Sequence, residues 1–252
     1  MASIINASTT STSGLVQTAD ASGVLQLQSN GVTGLTVGPG GLLTAANGIV
    51  MSSMTLGAAT TGELEYDGGE LYFTPLGTQR GLIPNLQYYR LNSALVGANA
   101  TGAQSIFGVG CTVSSNTVYE FESTFVLTKS AGTTSHTISV GFGGSATTNN
   151  TGYLAMNMAG TNQTDVPYAG TYFAKWIITS SLDVVTTGVT AATNTRWFTL
   201  KGTVSINAGG TFIPQYSLSA APGGAYTTGI GGYFKIHPIG AAGGNISVGT
   251  WA

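Results

Sequence analysis

Two long segments of this chain alternate strictly between apolar and polar side chains, and this alternation is the strongest constraint on the fold. The segments are Thr117–Leu127 and Arg196–Ile206. Successive side chains of a β-strand point to opposite faces, so a period of two predicts half-buried strands. We expect one face of each strand to lie in a core, with Tyr119, Phe121, Phe125, Leu127, Phe198, Leu200, Val204 and Ile206. The intervening side chains should face outward, namely Glu120, Glu122, Thr124, Trp197, Thr199, Lys201 and Thr203.

Shorter runs of the same kind fill the rest of the chain beyond residue 85. They predict further strands at Gln87–Leu91, Gln104–Val109, Ser135–Phe142, Gly152–Met158, Thr171–Ser180, Thr211–Ser219, Gly232–Ile239 and Asn245–Trp251. About eight to ten short strands at near-regular spacing favour a two-sheet closure. We therefore predict an all-β protein with almost no helix, in which residues 86–252 form a jelly-roll-like β-sandwich knob.

Residues 1–85 follow a different pattern, in which short, weakly apolar runs alternate with glycine-containing turns. Asn30-Gly31, Asn47-Gly48 and Asp67-Gly68 are strong hairpin signals, because these dipeptides tolerate positive φ values. The runs predict strands at Val24–Gln28, Leu35–Val37, Leu42-Leu43, Ile49–Met51, Glu63–Tyr66 and Glu70–Phe73.

Each run in residues 1–85 offers only two or three apolar side chains, which is too few for one copy to fold alone. Copies that associate about a symmetry axis would bury those side chains and pair the strand edges. We therefore predict that residues 1–85 form a short-stranded, intertwined, trimeric fibre region that attaches and oligomerises the protein. A disordered linker is the alternative, and the Ser/Thr-rich stretch Ala7–Ser13 would suit it.

Charge and cysteine content exclude several classes of function. Charged residues make up only 6% of the chain and the formal net charge is −2, against about 25% charged residues in an average soluble domain. Nucleic-acid binding is not expected, since the seven Lys and Arg are scattered. No run reaches the roughly 18 apolar residues of a membrane span. The single cysteine, Cys111, predicts a small buried side chain, and no metal or cofactor is expected from His136 and His237.

Parts of the first 85 residues resemble structural proteins of marine tailed bacteriophages, with cyanophage fibre and decoration proteins as the nearest group. The resemblance rests on Met1–Asn6, Ser22–Gly31, Gly34–Val37 and Gly62–Pro75, and it ends near Arg80–Pro84. It implies a virion location after synthesis in the host cytoplasm, a fibre-like homotrimer, an attaching N-terminal region and a projecting C-terminal knob. It leaves open whether the protein belongs to a tail fibre, a head fibre or the capsid surface.

Nearly half of the nine acidic residues surround one predicted turn: Glu63, Glu65, Asp67 and Glu70. A calcium site would need their oxygens to converge, although Glu63 and Glu65 share a strand face and Asp67 lies in the turn. The commoner arrangement is a solvated hairpin whose charges discourage edge-to-edge aggregation, with Arg80 as a partner.

The chain is not expected to be an enzyme. A polysaccharide depolymerase needs two suitably separated carboxylates, and Glu120, Glu122, Asp165 and Asp183 are the acids available in the knob. Glu120 and Glu122 lie roughly 7 Å apart by strand rise. Carboxylates on the solvent-exposed face of a strand, however, usually keep the protein soluble and have no catalytic role.

Two hypotheses remain for the knob: host-surface attachment through its loops, or a decoration protein without a receptor role. For attachment, the candidate surface is the glycine-rich loop Ala221–Gly229, whose Tyr226 would stack on a sugar or a protein ridge. Tyr153 and Tyr168 are weaker candidates for the same role. The partners expected are therefore other virion proteins, two further copies of the chain, and a host glycan or protein.

Overall fold

The computed structural model describes residues 24–29, 32–38, 43–45, 48–160 and 172–247 of the chain. All regular elements in these residues are β-strands, which confirms the all-β prediction. The chain divides into two compact units, residues 1–52 and 53–252. The boundary predicted near residue 85 therefore falls inside the second unit.

The described part of the first unit contains one antiparallel sheet of three strands: β1 (Leu25–Ser29), β2 (Val32–Val37) and β3 (Leu43–Ala45). Ser29 lies opposite Val32, and the predicted Asn30-Gly31 turn lies outside the described residues. The strand predicted at Ile49–Met51 is wrong, because these described residues carry no strand. Their apolar side chains had suggested a strand, yet Val50 is 98% exposed.

A small antiparallel sheet begins the second unit, with β4 (Leu64–Tyr66), β5 (Leu71–Leu76) and β6 (Gln79–Ile83). The predicted Asp67-Gly68 hairpin joins β4 to β5. One carboxylate oxygen of Asp67 accepts hydrogen bonds from the backbone N–H groups of Gly69 at 2.9 Å and Glu70 at 2.7 Å. Gly68 has a φ of +100°, which glycine adopts without strain.

The described residues of the second unit contain thirteen further strands. They are β7 (Gln87–Arg90), β8 (Leu95–Val96), β9 (Gln104–Ser105), β10 (Cys111–Val113), β11 (Thr117–Lys129), β12 (Ile138–Gly143), β13 (Thr147–Gly160), β14 (Tyr172–Ile177), β15 (Asp183–Val184), β16 (Asn194–Ala208), β17 (Gly210–Leu218), β18 (Thr227–Thr228) and β19 (Tyr233–Ala241). The predicted strand at Asn245–Trp251 is not formed over residues 245–247, and its remaining residues lie outside the described part.

These strands form two antiparallel sheets. In the larger sheet the order is β14-β13-β16-β11, and β11 then pairs with β19 along one half and with β18 along the other. β7 extends the sheet beside β19, and β8 extends it beside β18. The smaller sheet has the order β10-β17-β12-β15, with β9 also paired to β17.

The two sheets share one hydrophobic core, the arrangement of a β-sandwich. Aromatic rings bridge it: Phe121 of the larger sheet meets Phe142 of the smaller sheet at 4.9 Å between centroids, and Phe142 stacks on Phe212 at 4.4 Å. The eight side chains predicted to face the core are all buried. The alternation therefore assigned the inner and outer faces of β11 and β16 correctly.

Candidate binding surface

The outer face of the larger sheet carries a row of six side chains, one from each of six neighbouring strands. Strand register places them directly opposite one another. From β7 to β14 the row is Tyr88, Lys235, Glu122, Lys201, Leu154 and Trp176. We call these residues the outer row. One end of the outer row is charged and polar, and the other end is apolar.

At the polar end, Glu122 is the centre of a small network. Its carboxylate accepts a hydrogen bond from the hydroxyl of Tyr233 at 2.6 Å and lies 3.2 Å from the Lys235 ammonium and 3.9 Å from that of Lys201. The hydrogen bond from Tyr233 and the two lysines lower the pKa of Glu122. Glu122 is thus an ionised carboxylate whose position is fixed by its neighbours.

Tyr88 forms an aromatic platform beside this network. Its ring stacks on that of Tyr233, with centroids 5.6 Å apart and planes 15° from parallel, and Tyr88 is 55% exposed. An open groove of about 230 Å³ lies nearby. It is lined by Pro84, Leu86, Glu120, Glu122, Lys235 and His237.

At the apolar end, Trp176 is 62% exposed. A Cβ atom added to Gly152 on the neighbouring strand would lie 3.0 Å from Cζ2 of this indole. The ring therefore lies close against the sheet above Gly152. Met156 and Met158 are also exposed on this face, and Trp197 lies opposite Met158 in the adjacent strand. Exposed apolar patches of this kind on a rigid sheet mark contact surfaces.

Tyr226, the predicted receptor-binding residue, is fully buried in the core, so its prediction as an exposed contact is corrected. Its hydroxyl lies 2.9 Å from Nε2 of His136, and burial raises its pKa. The segment is not an open loop, because Thr227–Thr228 form strand β18, which pairs with both β11 and β8 and draws the preceding tyrosine inward. No feature of the glycine-rich loop sequence reveals this pairing.

Of the two weaker tyrosine candidates, only Tyr153 lies among the described residues. Tyr153 is buried, and its hydroxyl donates to the carbonyl of Val140 at 3.4 Å. Tyr168 lies outside the described residues. The exposed aromatic residues Tyr88 and Trp176 were not singled out from the sequence. Their strands were predicted, but only the register between strands shows that they share a row.

An ion pair joins Glu65 of β4 to Arg80 of β6. Glu65 is only 1% exposed, and its two carboxylate oxygens accept hydrogen bonds from Nε of Arg80 at 2.6 Å and from Nη2 at 3.0 Å. The predicted partnership with Arg80 is confirmed, but the description of a solvated hairpin is wrong for Glu65 and for Glu70, which is also buried. Burial, reinforced by the charge of Asp67, raises the pKa of Glu70.

The hairpin acids do not converge on a common point. The second carboxylate oxygen of Asp67 accepts a hydrogen bond from Tyr72 at 3.0 Å, and Glu63 accepts one from the backbone N–H of Thr60 at 3.1 Å. Among the described residues, no three His, Cys, Asp or Glu side chains group as metal ligands would.

The remaining candidate residues of the knob are Asp165, Asp183 and Cys111. Asp183 pairs with Lys175 at 2.6 Å, and Asp165 lies outside the described residues. Cys111 is half-buried against the core, where burial raises its pKa to about 11. Among the described residues, no helix could span a membrane.

Neither the models of known protein families nor the curated protein sequences include a match to this chain.

Proposed function

We propose that this chain is a non-enzymatic structural protein of a bacteriophage virion. Residues 1–85 hold three copies together and anchor them to other virion proteins, while the jelly-roll-like knob projects and attaches to the host surface. The resemblance of residues 1–85 to marine phage structural proteins supports the virion location. The rigid sandwich supports a role in presenting a surface, because its strands fix the outer row in place.

The observation that carries the proposal is the exposure of apolar side chains in the first unit. Leu43 is 56% exposed and Val50 is 98% exposed, and Leu27 and Ile49 are also uncovered. Strands of 5, 6 and 3 residues bury little apolar surface within one copy, so the sheet gains little stability by itself. Further copies would cover these side chains and remove them from water, which stabilises association by roughly 25 cal/mol for each Å² of apolar surface buried.

A decoration protein without a receptor role is the second candidate. The exposed apolar end of the outer face favours it, because Trp176, Met156 and Met158 would suit contact with a capsid or tail protein. The two candidates differ in where the outer face points: toward the host in the first and toward the particle in the second.

Sedimentation of the purified full chain tests the oligomer. We expect a trimer, and we expect Leu43→Asn combined with Val50→Asn to shift it toward monomer. Ile230→Asn is the matched control, since Ile230 is an exposed aliphatic side chain of the second unit and its loss should leave the trimer intact. A monomeric wild-type chain would refute the proposed trimer.

Immunogold labelling of intact phage particles tests the location. Label at tail or head fibres supports attachment, and label spread over the capsid surface supports decoration. Particles that carry no label after the antibody has been shown to bind the purified protein would refute the virion assignment.

A further inference from the structure

We propose that a polysaccharide strand binds across the outer face of the larger sheet, along the outer row from Tyr88 to Trp176. This inference rests on the proposed function in host attachment and names the ligand class and the site. It replaces the loop around Tyr226, whose ring is buried, with a surface built on strands.

The first argument is the geometry of Trp176. Because Gly152 has no side chain, the indole lies against the sheet, and much of its surface remains exposed to solvent. The face of an aromatic ring is electron-rich, so it attracts the C–H groups of a pyranose ring, which carry a partial positive charge. A tryptophan that is held close to a sheet and exposed on its outer side forms a suitable platform for a sugar.

The second argument is that the opposite end of the outer row carries another platform. One face of Tyr88 stacks on Tyr233, and Tyr233 is itself held by its hydrogen bond to Glu122. Tyr88 therefore loses little side-chain entropy when a ligand covers it. Five strand spacings separate the two platforms, a distance of about 24 Å. Only a chain of several sugar rings reaches both.

The third argument is the polar groups between the platforms. Lys235, Glu122 and Lys201 follow one another across three strands. Ammonium groups donate hydrogen bonds and the carboxylate accepts them, so together they match sugar hydroxyls, which do both. Their mutual contacts orient them before a ligand arrives.

The charged side chains around the outer row indicate which charge the polysaccharide can carry. The outer row contains two lysines and one carboxylate, and Arg90 lies in the adjacent row opposite Tyr233. Glu120 faces the same side and lies 3.8 Å from His237. Positive groups thus outnumber carboxylates around the row at neutral pH, which favours an acidic or neutral polysaccharide over a cationic one.

Affinity electrophoresis and calorimetry with the full-length protein test the site. The probes are envelope polysaccharide from the host bacterium, alginate as a defined acidic polymer and dextran as a neutral one. We expect Trp176→Ala and Tyr88→Ala each to weaken binding about threefold or more and the double variant about tenfold or more. Ile178→Ala and Tyr89→Ala are the matched controls, because both side chains are exposed neighbours outside the row, and they should leave binding unchanged.

Lys235→Gln provides a test that does not remove an aromatic ring, should the double variant fail to fold. It should weaken binding to alginate more than binding to dextran. Quenching of tryptophan fluorescence by the polysaccharide, present in the wild type and lost in Trp176→Phe, would place the ligand on this indole.

Several results would overturn the proposal. Unchanged polysaccharide binding by a folded double variant would show that the row is not the site. A change in sedimentation caused by Trp176→Ala would show that a neighbouring copy covers this face. Host-cell binding without binding to any polysaccharide would refute the polysaccharide as the ligand and leave the proposed function standing. Polysaccharide binding by a protein that is absent from virions would support the ligand and refute the proposed function.

Discussion

The imidazole of His136 and the phenol of Tyr226 form a buried pair, with Nε2 of the histidine 2.9 Å from the tyrosine hydroxyl and the two rings nearly edge-on at 5.6 Å. Nδ1 of the same histidine lies 2.7 Å from the carbonyl oxygen of Thr134 and must donate to it. Burial lowers the pKa of His136, which favours the neutral imidazole. In that form Nε2 accepts and the Tyr226 hydroxyl is the donor, with the side-chain oxygen of Asn194 as a second, longer acceptor at 3.4 Å.

Tyr226 should matter for stability rather than for binding. We expect Tyr226→Ala to lower the free energy of unfolding by about 3–5 kcal/mol, because it leaves a cavity in the core. Tyr226→Phe keeps the ring but removes the donor to His136, which should cost about 1–3 kcal/mol. Urea denaturation measures both, with Tyr88→Phe as the exposed control. Wild-type stability in Tyr226→Ala would contradict the buried position.

Stability should fall when the pH drops below about 6.5. Burial lowers the pKa of His136 in the folded protein, so between the folded and unfolded pKa values the unfolded chain binds a proton that the folded chain does not. The slope cannot exceed about 1.4 kcal/mol per pH unit, and the loss ends once the folded histidine is also protonated.

Urea denaturation between pH 5 and pH 7.5 checks the role of His136. The slope should be absent in His136→Gln and retained in His237→Gln, which removes a histidine on the outer face. If His136→Gln keeps the full slope, another group is responsible.

Arg80 should be needed to keep Glu65 buried. Removing one partner of a buried ion pair costs about 3–5 kcal/mol, because the other charge is left without compensation. We expect Arg80→Met to increase amide hydrogen exchange across the sheet β4–β6. Arg80→Met combined with Glu65→Leu should restore much of the protection, and the exposed Arg90→Met should have no effect there. Equal exchange in the wild type and Arg80→Met would show that the pair contributes little.

The protein should hold polysaccharide without cleaving it. A glycosidase needs one carboxylic acid with a raised pKa to protonate the leaving group, and the pKa of Glu122 is shifted in the opposite direction. We expect neither the wild type nor the variant with Glu120→Gln plus Glu122→Gln to release reducing sugars from a polysaccharide. Release that the double substitution abolishes would make the chain a depolymerase.

The sequence by itself determined the strands and their faces in the middle of the chain. The alternation in β11 and β16 has a period that only a strand satisfies, so it identified both the core residues and the outward position of Glu120, Glu122 and Lys201. The Asp67-Gly68 turn could also be predicted from the sequence, because its conformation depends on a few adjacent residues.

Only the tertiary structure decided which of these residues meet. Tyr88 and Trp176 are 88 positions apart in the sequence, and they share a row because of the register across six strands. Glu65 and Tyr226 have the residue types of a solvated hairpin and an open loop, yet both are buried. Glu65 pairs with Arg80 of β6, and the pairing of β18 with β11 and β8 draws Tyr226 inward. Local patterns fix the direction of a side chain, whereas its burial and its partners depend on contacts between distant segments of the chain.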